Sequence, residues 1–237
     1  MNRYCDTDKV IVRRVTKEDV YDMVVNKHYA GRWTGSTDIF GVYYDDGSTH
    51  QFFDTTEPKL IGVVIYGYTV ARNGVKSVSE VLENREVLEL KRLWIEDGYG
   101  SNIESYVISD TLKQIRKDKP EVKVIMSYAD PAENHTGVIY KATNWYYQGN
   151  KVSHAGSMYQ FSFDGEKWLS PRALQAKIGV CGLKDVLKVY PDIQYKLIER
   201  KHRYLYFLCN RGERKRLIKQ LKHPIFPYPK TSDIETT

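Results

Sequence analysis

The chain has 237 residues, 41% hydrophobic and 28% charged, a balance ordinary for one soluble globular domain with a sizeable core. No apolar run approaches the roughly 18 residues of a membrane span, and the opening Met-Asn-Arg-Tyr-Cys-Asp lacks a signal-peptide pattern. The three cysteines, Cys5, Cys181 and Cys209, fit neither a disulfide framework nor a cysteine zinc site, so a cytoplasmic setting without a membrane partner is expected. The net charge of +6 is uneven: residues 196–222 carry ten Lys/Arg against two Glu, a local +8, and the rest of the chain therefore sums to −2. A basic block in a near-neutral body marks a polyanion partner, the plain alternative being a solvated helix face. The tyrosines among these basic residues favour nucleic acid.

In chain order, Lys9–Val15 alternates as a strand, and Thr16-Lys-Glu-Asp19 starts a helix that runs to about Lys27. His28-Tyr-Ala-Gly-Arg-Trp33 is a loop at that helix end. Two apolar strands follow, Lys59–Thr69 and Arg85–Glu96, the second with period-two alternation. Asp97-Gly-Tyr-Gly-Ser-Asn102 is a turn, Ile103–Arg116 has helical spacing, Pro120 ends that region, and Val122–Met126 reads as a buried strand. The block Ser127–Gly149 then sets Asp130, Glu133, His135 and Tyr140 at a strand-to-helix junction, where α/β folds hold ligands, with Gly149 closing the helix. Met158–Phe163 and His202–Leu208 read as late strands.

Between those strands lies extra material. Ser170, Pro171 and Gly179 mark the cap, first position and end of one short helix, and Leu183–Tyr190 is a second, stopped by Pro191. The pair is a helix-turn-helix candidate for DNA contact, or a simple packing device. The expected organisation is one domain over 1–237, with a helical insertion at 165–195, a basic segment at 196–223 and a tail at 224–237.

The element order resembles the GNAT acyltransferases, and Tyr140-Lys-Ala-Thr-Asn-Trp145 resembles the Tyr-x-x-x-Gly-Phe helix that closes their acyl-CoA site. That resemblance implies an α/β (α+β) fold, a mixed sheet flanked by helices. It also implies a donor site for acetyl-CoA: the backbone of Leu90, Arg92 and Leu93 along the pantetheine, the helix start at Gly98, Gly100, Ser101 and Asn102 for the pyrophosphate, and Asn144 nearby. Unpaired amides and the helix dipole suit that start to an anion, although no basic residue opens the turn as it does in the family. Tyr140 falls where these enzymes carry a phenol that protonates the departing thiolate.

Lys27-His-Tyr-Ala-Gly-Arg32, Glu89-Leu-Lys-Arg-Leu-Trp94, Tyr128–Trp145, Arg203-Tyr-Leu-Tyr-Phe207 and Pro227-Tyr-Pro-Lys230 together resemble the Mom family of phage DNA-modification proteins. The resemblance implies modification of the exocyclic amine of adenine in double-stranded DNA to a methylcarbamoyl-type group, with acetyl-CoA as donor, in the host-cell cytoplasm and in protection against restriction. It also implies an iron requirement. Asp130, Tyr140, His28 and Tyr29 are the catalytic candidates, with His135 and Glu133 as seconds; His28, Asp130 and Tyr140 are the candidate metal ligands. In plainer terms, His28 is a helix-end histidine meeting the dipole and Asp130 a turn residue before proline.

A base inside a duplex has to be extruded and stacked on aromatics, which Tyr29, Trp33, Tyr128, Trp145 and Tyr146 supply, Trp145 being the one that reads as core. Arg32, Arg203, Arg211, Arg214, Lys215, Arg216 and Lys219 are candidates for phosphate contact. Two other readings stand beside this one: an N-acyltransferase acting on another amine (a hypermodified base, RNA or protein), and a non-catalytic nucleic-acid-binding module derived from the same fold.

Overall fold

The computed structural model describes residues 4–47, 57–69, 74–131, 135–150, 159–198 and 200–229. Glu133, Met158, Lys230 and the rest of the tail lie outside them.

A seven-stranded mixed sheet forms the centre, in the order β1-β2-β3-β4-β5-β9-β6. The strands are β1 (Val10–Arg14), β2 (Asp38–Tyr44), β3 (Lys59–Tyr68), β4 (Val87–Ile95), β5 (Val124–Ala129), β6 (Tyr146–Tyr147) and β9 (His202–Phe207). β4 and β5 run parallel, and every other pairing in this sheet is antiparallel. This is the mixed sheet flanked by helices that the resemblance implies.

Helix α2 (Ile103–Asp118) covers one face, burying Ile103, Val107, Ile108, Leu112 and Ile115 against Val64, Tyr66, Leu88 and Ile125. Helix α1 (Lys17–Asp22) starts where the Asp19 carboxylate accepts from the Thr16 N–H at 2.8 Å. It packs Val20, together with Val24 of its continuation, on Val63 and Ile65 of the other face. That continuation, Met23–Lys27, widens into a π turn in which the His28 N–H reaches the Met23 carbonyl at 2.9 Å. The C-terminal part of the basic block forms helix α6 (Arg211–Lys219), whose bounds the sequence analysis did not assign, and it docks Leu217 beside Val87, Val124 and Met126.

The late strands depart from expectation. Helix α3 (Val138–Ala142) does not extend to Gly149. Asn144, at φ 60, turns the chain so that Trp145 enters the core and Tyr146–Tyr147 take the edge beside β9. The strand expected at Met158–Phe163 is β7 (Tyr159–Ser162), and it lies outside the central sheet. It pairs with β8 (Gln194–Leu197) because Phe161 is buried in a separate core with Leu174 of α4 (Pro171–Ile178), Val186 of α5 (Leu183–Val189) and Ile193. Among the described residues no helix is long and apolar enough to cross a membrane.

One buried charge network fastens this frame. The Asp38 side chain is fully buried and bridges Arg14 of β1 and Lys119 at the end of α2, each at 2.7 Å. Burial alone would raise its pKa, but hydrogen bonds from Lys119, Thr37 and Arg14 outweigh that and hold it below the usual carboxylate range. Its stabilising effect is therefore present above the unfolded pKa and lost as pH falls through the folded one. Removing one partner of such a network strands the others, so Asp38→Ala should cost about 3–5 kcal/mol in urea unfolding. A loss under 1 kcal/mol would show that the network is idle.

Candidate active site

The cleft originates in one extra residue. Across β3 and β4, Ile65 faces Arg92 and Tyr66 faces Leu90, which leaves Lys91 as a β-bulge. A bulge bends its strand and increases the local twist. The β4–β5 ladder accordingly ends at Leu90↔Ser127, and the two strands part beyond it. The bulge also resets the alternation: Leu88 and Leu90 face α2, then Leu93 and Ile95, while Trp94 turns to the α1 side. The period-two pattern read in the sequence is therefore broken at its centre.

The space between the parted strands is a cleft of about 510 Å³, lined by residues 90–95 of β4, Ser127 to Asp130, His135 to Tyr140, and His28 and Tyr29. At its apex the Ser127 hydroxyl donates to the Leu90 carbonyl at 2.9 Å, and the Tyr140 hydroxyl lies 2.7 Å from the Ser127 oxygen. Since the Ser127 proton is committed to Leu90, Tyr140 is the donor of that second bond. Burial pushes the Tyr140 phenol up to about 12, with the Ser127 bond acting the other way. Tyr140 is thus a neutral acid across the physiological range. Gly137, at φ 81, makes the approach of α3 possible: a Cβ there would stand 2.4 Å from the Tyr204 ring.

The π turn delivers His28 and Tyr29 to the cleft mouth. Their rings stack at 4.3 Å, and Tyr29 meets His135 across the opening at 5.7 Å. Burial, with help from Arg92 and His135, lowers the His28 pKa to about 4. Its Nδ1 accepts the Ala30 N–H at 3.0 Å, so the neutral ring carries its proton on Nε2 and donates from that atom. Asp130 is oriented by Lys201, whose ammonium lies 2.6 Å from its carboxylate. Lys91 donates to the Gly35 carbonyl at 3.0 Å, tying the loop that carries His28 and Tyr29 to the bulge itself. Gly67 lets that loop lie on the sheet, because a Cβ there would meet the Gly35 oxygen at 2.5 Å.

His28, Tyr29, Leu90, Arg92, Leu93, Asp130, His135 and Tyr140 therefore converge. Gly98 and Gly100 line a neighbouring concavity that shares Asp97 and Glu104 with the cleft. There the Cys5 N–H donates to the Ser101 carbonyl at 2.9 Å, and a Cβ on Gly100 would sit 2.6 Å from Cys5 N. The Gly-Tyr-Gly turn thus receives the chain's own N-terminal segment, and Asn102, at φ 72, begins α2. Asn144 serves as an exposed turn residue and does not line the cleft. Of the expected stacking residues, Tyr29 and Tyr128 line the cleft, Trp33 stacks on Tyr21, Tyr146 packs on Phe207 and Trp145 is core.

Arg203 is a correction. It is 0% exposed, and its guanidinium donates to the hydroxyl and carbonyl of Ser77 at 2.9 and 3.1 Å, so it fastens a loop to the sheet and cannot meet a phosphate. Sequence reasoning took its charge as surface because Arg203 belongs to the basic block 196–222. Arg32, Arg211, Lys215, Arg216 and Lys219 are exposed and Arg214 is half-buried. Ser127 and Lys201 were missed; the strand register that places Ser127 at the apex has no local signature.

The candidate iron ligands do not fit a metal. The lone pair of His28 Nδ1 is taken by the Ala30 N–H, Asp130 is held by Lys201, and the Tyr140 phenol is held by Ser127. Among the described residues no three His, Cys, Asp or Glu converge on a common point.

Residues 9–230 match the Mom protein family. The chain is 31% identical over 211 residues to the methylcarbamoylase Mom of Escherichia phage Mu, covering 88% of this chain and 78% of that protein. Among solved structures, NAA60 of Arabidopsis thaliana in complex with acetyl-CoA is similar at a TM-score of 0.47 and 11% identity, over 84% of this chain and 99% of that one. Spermidine N-acetyltransferase of Vibrio cholerae with CoA and spermine is similar at 0.46 and 9% identity, over 85% and 96%.

His28 should show the Nε2–H tautomer by nitrogen NMR and no titration between pH 5 and 8. The unfolded chain protonates it near 6.5 and the folded chain near 4, so its contribution to stability is full above about 6.5 and declines as pH falls toward 4. A His28 pKa near 6.5 in the folded protein would contradict the burial argument.

Proposed function

The chain belongs to the Mom protein family, and on that premise we propose that it transfers an acyl group from acetyl-CoA to the exocyclic amine of adenine in DNA, as part of a methylcarbamoyl-type modification that guards the DNA from restriction. The observation that carries this reading is the hydrogen-bonded chain Tyr140–Ser127–Leu90 at the apex of an open cleft. It puts a neutral phenol where two parallel strands part and their backbone ladder ends.

The donor thioester lies along Leu90 to Leu93 with its sulfur toward Tyr140. The amine nitrogen attacks the carbonyl carbon, the carbon–sulfur bond breaks, Tyr140 gives its proton to the thiolate, and Asp130 takes the proton released by the amine. The Nε2–H of His28 points to the donor carbonyl, where oxyanion charge develops. Tyr29, between two imidazoles, is the platform on which the extruded base stacks. Acyl transfer alone does not supply the nitrogen of a methylcarbamoyl group, and no residue of the cleft is assigned to that step.

DNA is held by the exposed stripe Arg211, Lys215 and Lys219, at i, i+4 and i+8 along α6, with Arg216 beside it and Arg32 near the cleft. The stripe spans about 12 Å of helix. A specific observation favours a second reading, nucleic-acid binding without acyl-CoA turnover. Asp97 and Glu104 flank the start of α2, and Tyr4 and Cys5 cover one side of its turn, surroundings that oppose a pyrophosphate. Stabilisation of the protein by acetyl-CoA in a thermal shift separates the two.

Mass spectrometry of nucleosides from DNA co-expressed with the protein is the deciding measurement, with modified deoxyadenosine as the expected result and its absence the result that ends the proposal. Tyr140→Phe and Asp130→Ala should each lower modification about 10²–10⁴-fold, the usual worth of a positioned acid or base, without loss of folding. Wild-type turnover by either variant removes that residue from the reaction. Converting Arg211, Lys215 and Lys219 to Glu should weaken DNA binding and flatten its salt dependence by about 0.9 in log–log slope per lost phosphate contact, leaving acetyl-CoA affinity unchanged. An unaltered slope would make the stripe an ordinary solvated face.

A further inference from the structure

The reaction above uses the backbone of Arg92 and leaves its guanidinium unassigned. Arg92 stands immediately after the bulge, opposite Ile65 of β3. Ile65 and Trp94 pack on the α1 face, and strand alternation sends the Arg92 side chain to that same face. There it lines the cleft beside His28 and Tyr29, and its charge interacts with both. Its Nη1 donates to the Lys91 carbonyl at 2.7 Å. The bulge that opens the cleft therefore also sets the plane of this guanidinium.

Two features are unusual for such a cation. Its Nε–H is buried and finds no acceptor among the described residues, whereas buried polar atoms nearly always have a partner. No described carboxylate forms an ion pair with it either: Glu89 acts on it only through space, and the exposed Arg32 adds a second positive charge nearby. Burial is the largest influence on the group and lowers its pKa, as it does for a cation short of a counterion. Desolvated charges are ordinarily paired. Two guanidiniums close together without an acid to neutralise them make a site that an oxyanion completes.

We propose that Arg92, with Arg32 beside it, binds the phosphodiester of the extruded nucleotide while the base lies on Tyr29. A guanidinium presents its N–H donors in a planar fork that matches two phosphate oxygens. Coenzyme A carries phosphates too, but α2, whose first turn would take its pyrophosphate, covers the other face of the sheet. Ile103 packs there in one core with Leu93 and Ile95, whereas Arg92 alternates with them and shares the α1 face with Trp94. Arg92 is thus on the side of the loop that carries Tyr29. A phosphate contact positions the nucleotide and reads no sequence. The inference rests on the reading of an extruded adenine given above.

The test is fluorescence anisotropy, without donor, on duplexes with one mismatched adenine whose flanking phosphates are, in turn, the natural diester or an uncharged methylphosphonate. The wild type should bind the natural duplex roughly 10- to 150-fold more tightly than one of the two methylphosphonates, the worth of a hydrogen bond to a charged group. Arg92→Ala should bind all of them equally, and Arg92→Lys, which keeps the charge without the fork, should retain part of the preference. Calorimetric titration with acetyl-CoA should give one affinity for the wild type and Arg92→Ala. A wild type indifferent to both methylphosphonates overturns the inference, whatever the variants do, and so does an Ala variant that still discriminates. An Ala variant that loses acetyl-CoA instead gives the guanidinium to the coenzyme's phosphates and overturns it as well. Modified deoxyadenosine in co-expressed DNA alongside any of these results would sink the role of Arg92 alone. No modified base and no binding of the mismatched duplex would remove the adenine reading with it.

Discussion

The site depends on the surplus residue at Lys91. Without it β4 and β5 would continue their parallel ladder past Leu90 and Ser127, and the backbone groups at the apex would pair with each other. With it the strands diverge, the Leu90 carbonyl is left for the Ser127 hydroxyl, and the Ser127 oxygen is left for Tyr140. The Lys91 side chain also fastens Gly35, so the irregularity that opens the cleft tethers the loop that furnishes its mouth. A single backbone irregularity in this way couples the cleft, Tyr140 and the loop that carries Tyr29.

The groups around the cleft divide by charge state. His28 is neutral through burial, and Tyr140 is neutral through burial and weak intrinsic acidity. Asp130, by contrast, is held at the rim by Lys201. Neutral donors inside and an oriented carboxylate outside suit a reaction in which an amine loses a proton at the entrance while a thiolate gains one at the apex. The same neutrality argues against a cation-binding role for these side chains, since the nitrogen and oxygen atoms that would face a metal carry protons or are engaged.

Much of this was legible in the sequence. Strong local signals gave the Thr16 start of α1, the Ile103–Arg116 helix, the apolar strands and the two capped helices of the insertion. The cluster Asp130, His135 and Tyr140 was found because its residues are neighbours in the chain. What escaped depends on register and tertiary context. The bulge hides inside an alternating run, Ser127 looks like any serine after a strand, and the sheet partner of Tyr159–Ser162 is set by which core Phe161 enters. Arg203 shows the limit most plainly: its charge groups it with the basic residues of α6, and only the packing of its apolar, tyrosine-rich strand shows it to be buried and structural.

The segment from β7 to β8 buries its own apolar set, Phe161, Leu174, Val186 and Ile193, and shares none of them with the sheet clusters. Its folding cooperativity is consequently local. Substitutions on its outer surface can accumulate without strain reaching the fork, so whatever this module touches can diversify while the chemistry stays fixed.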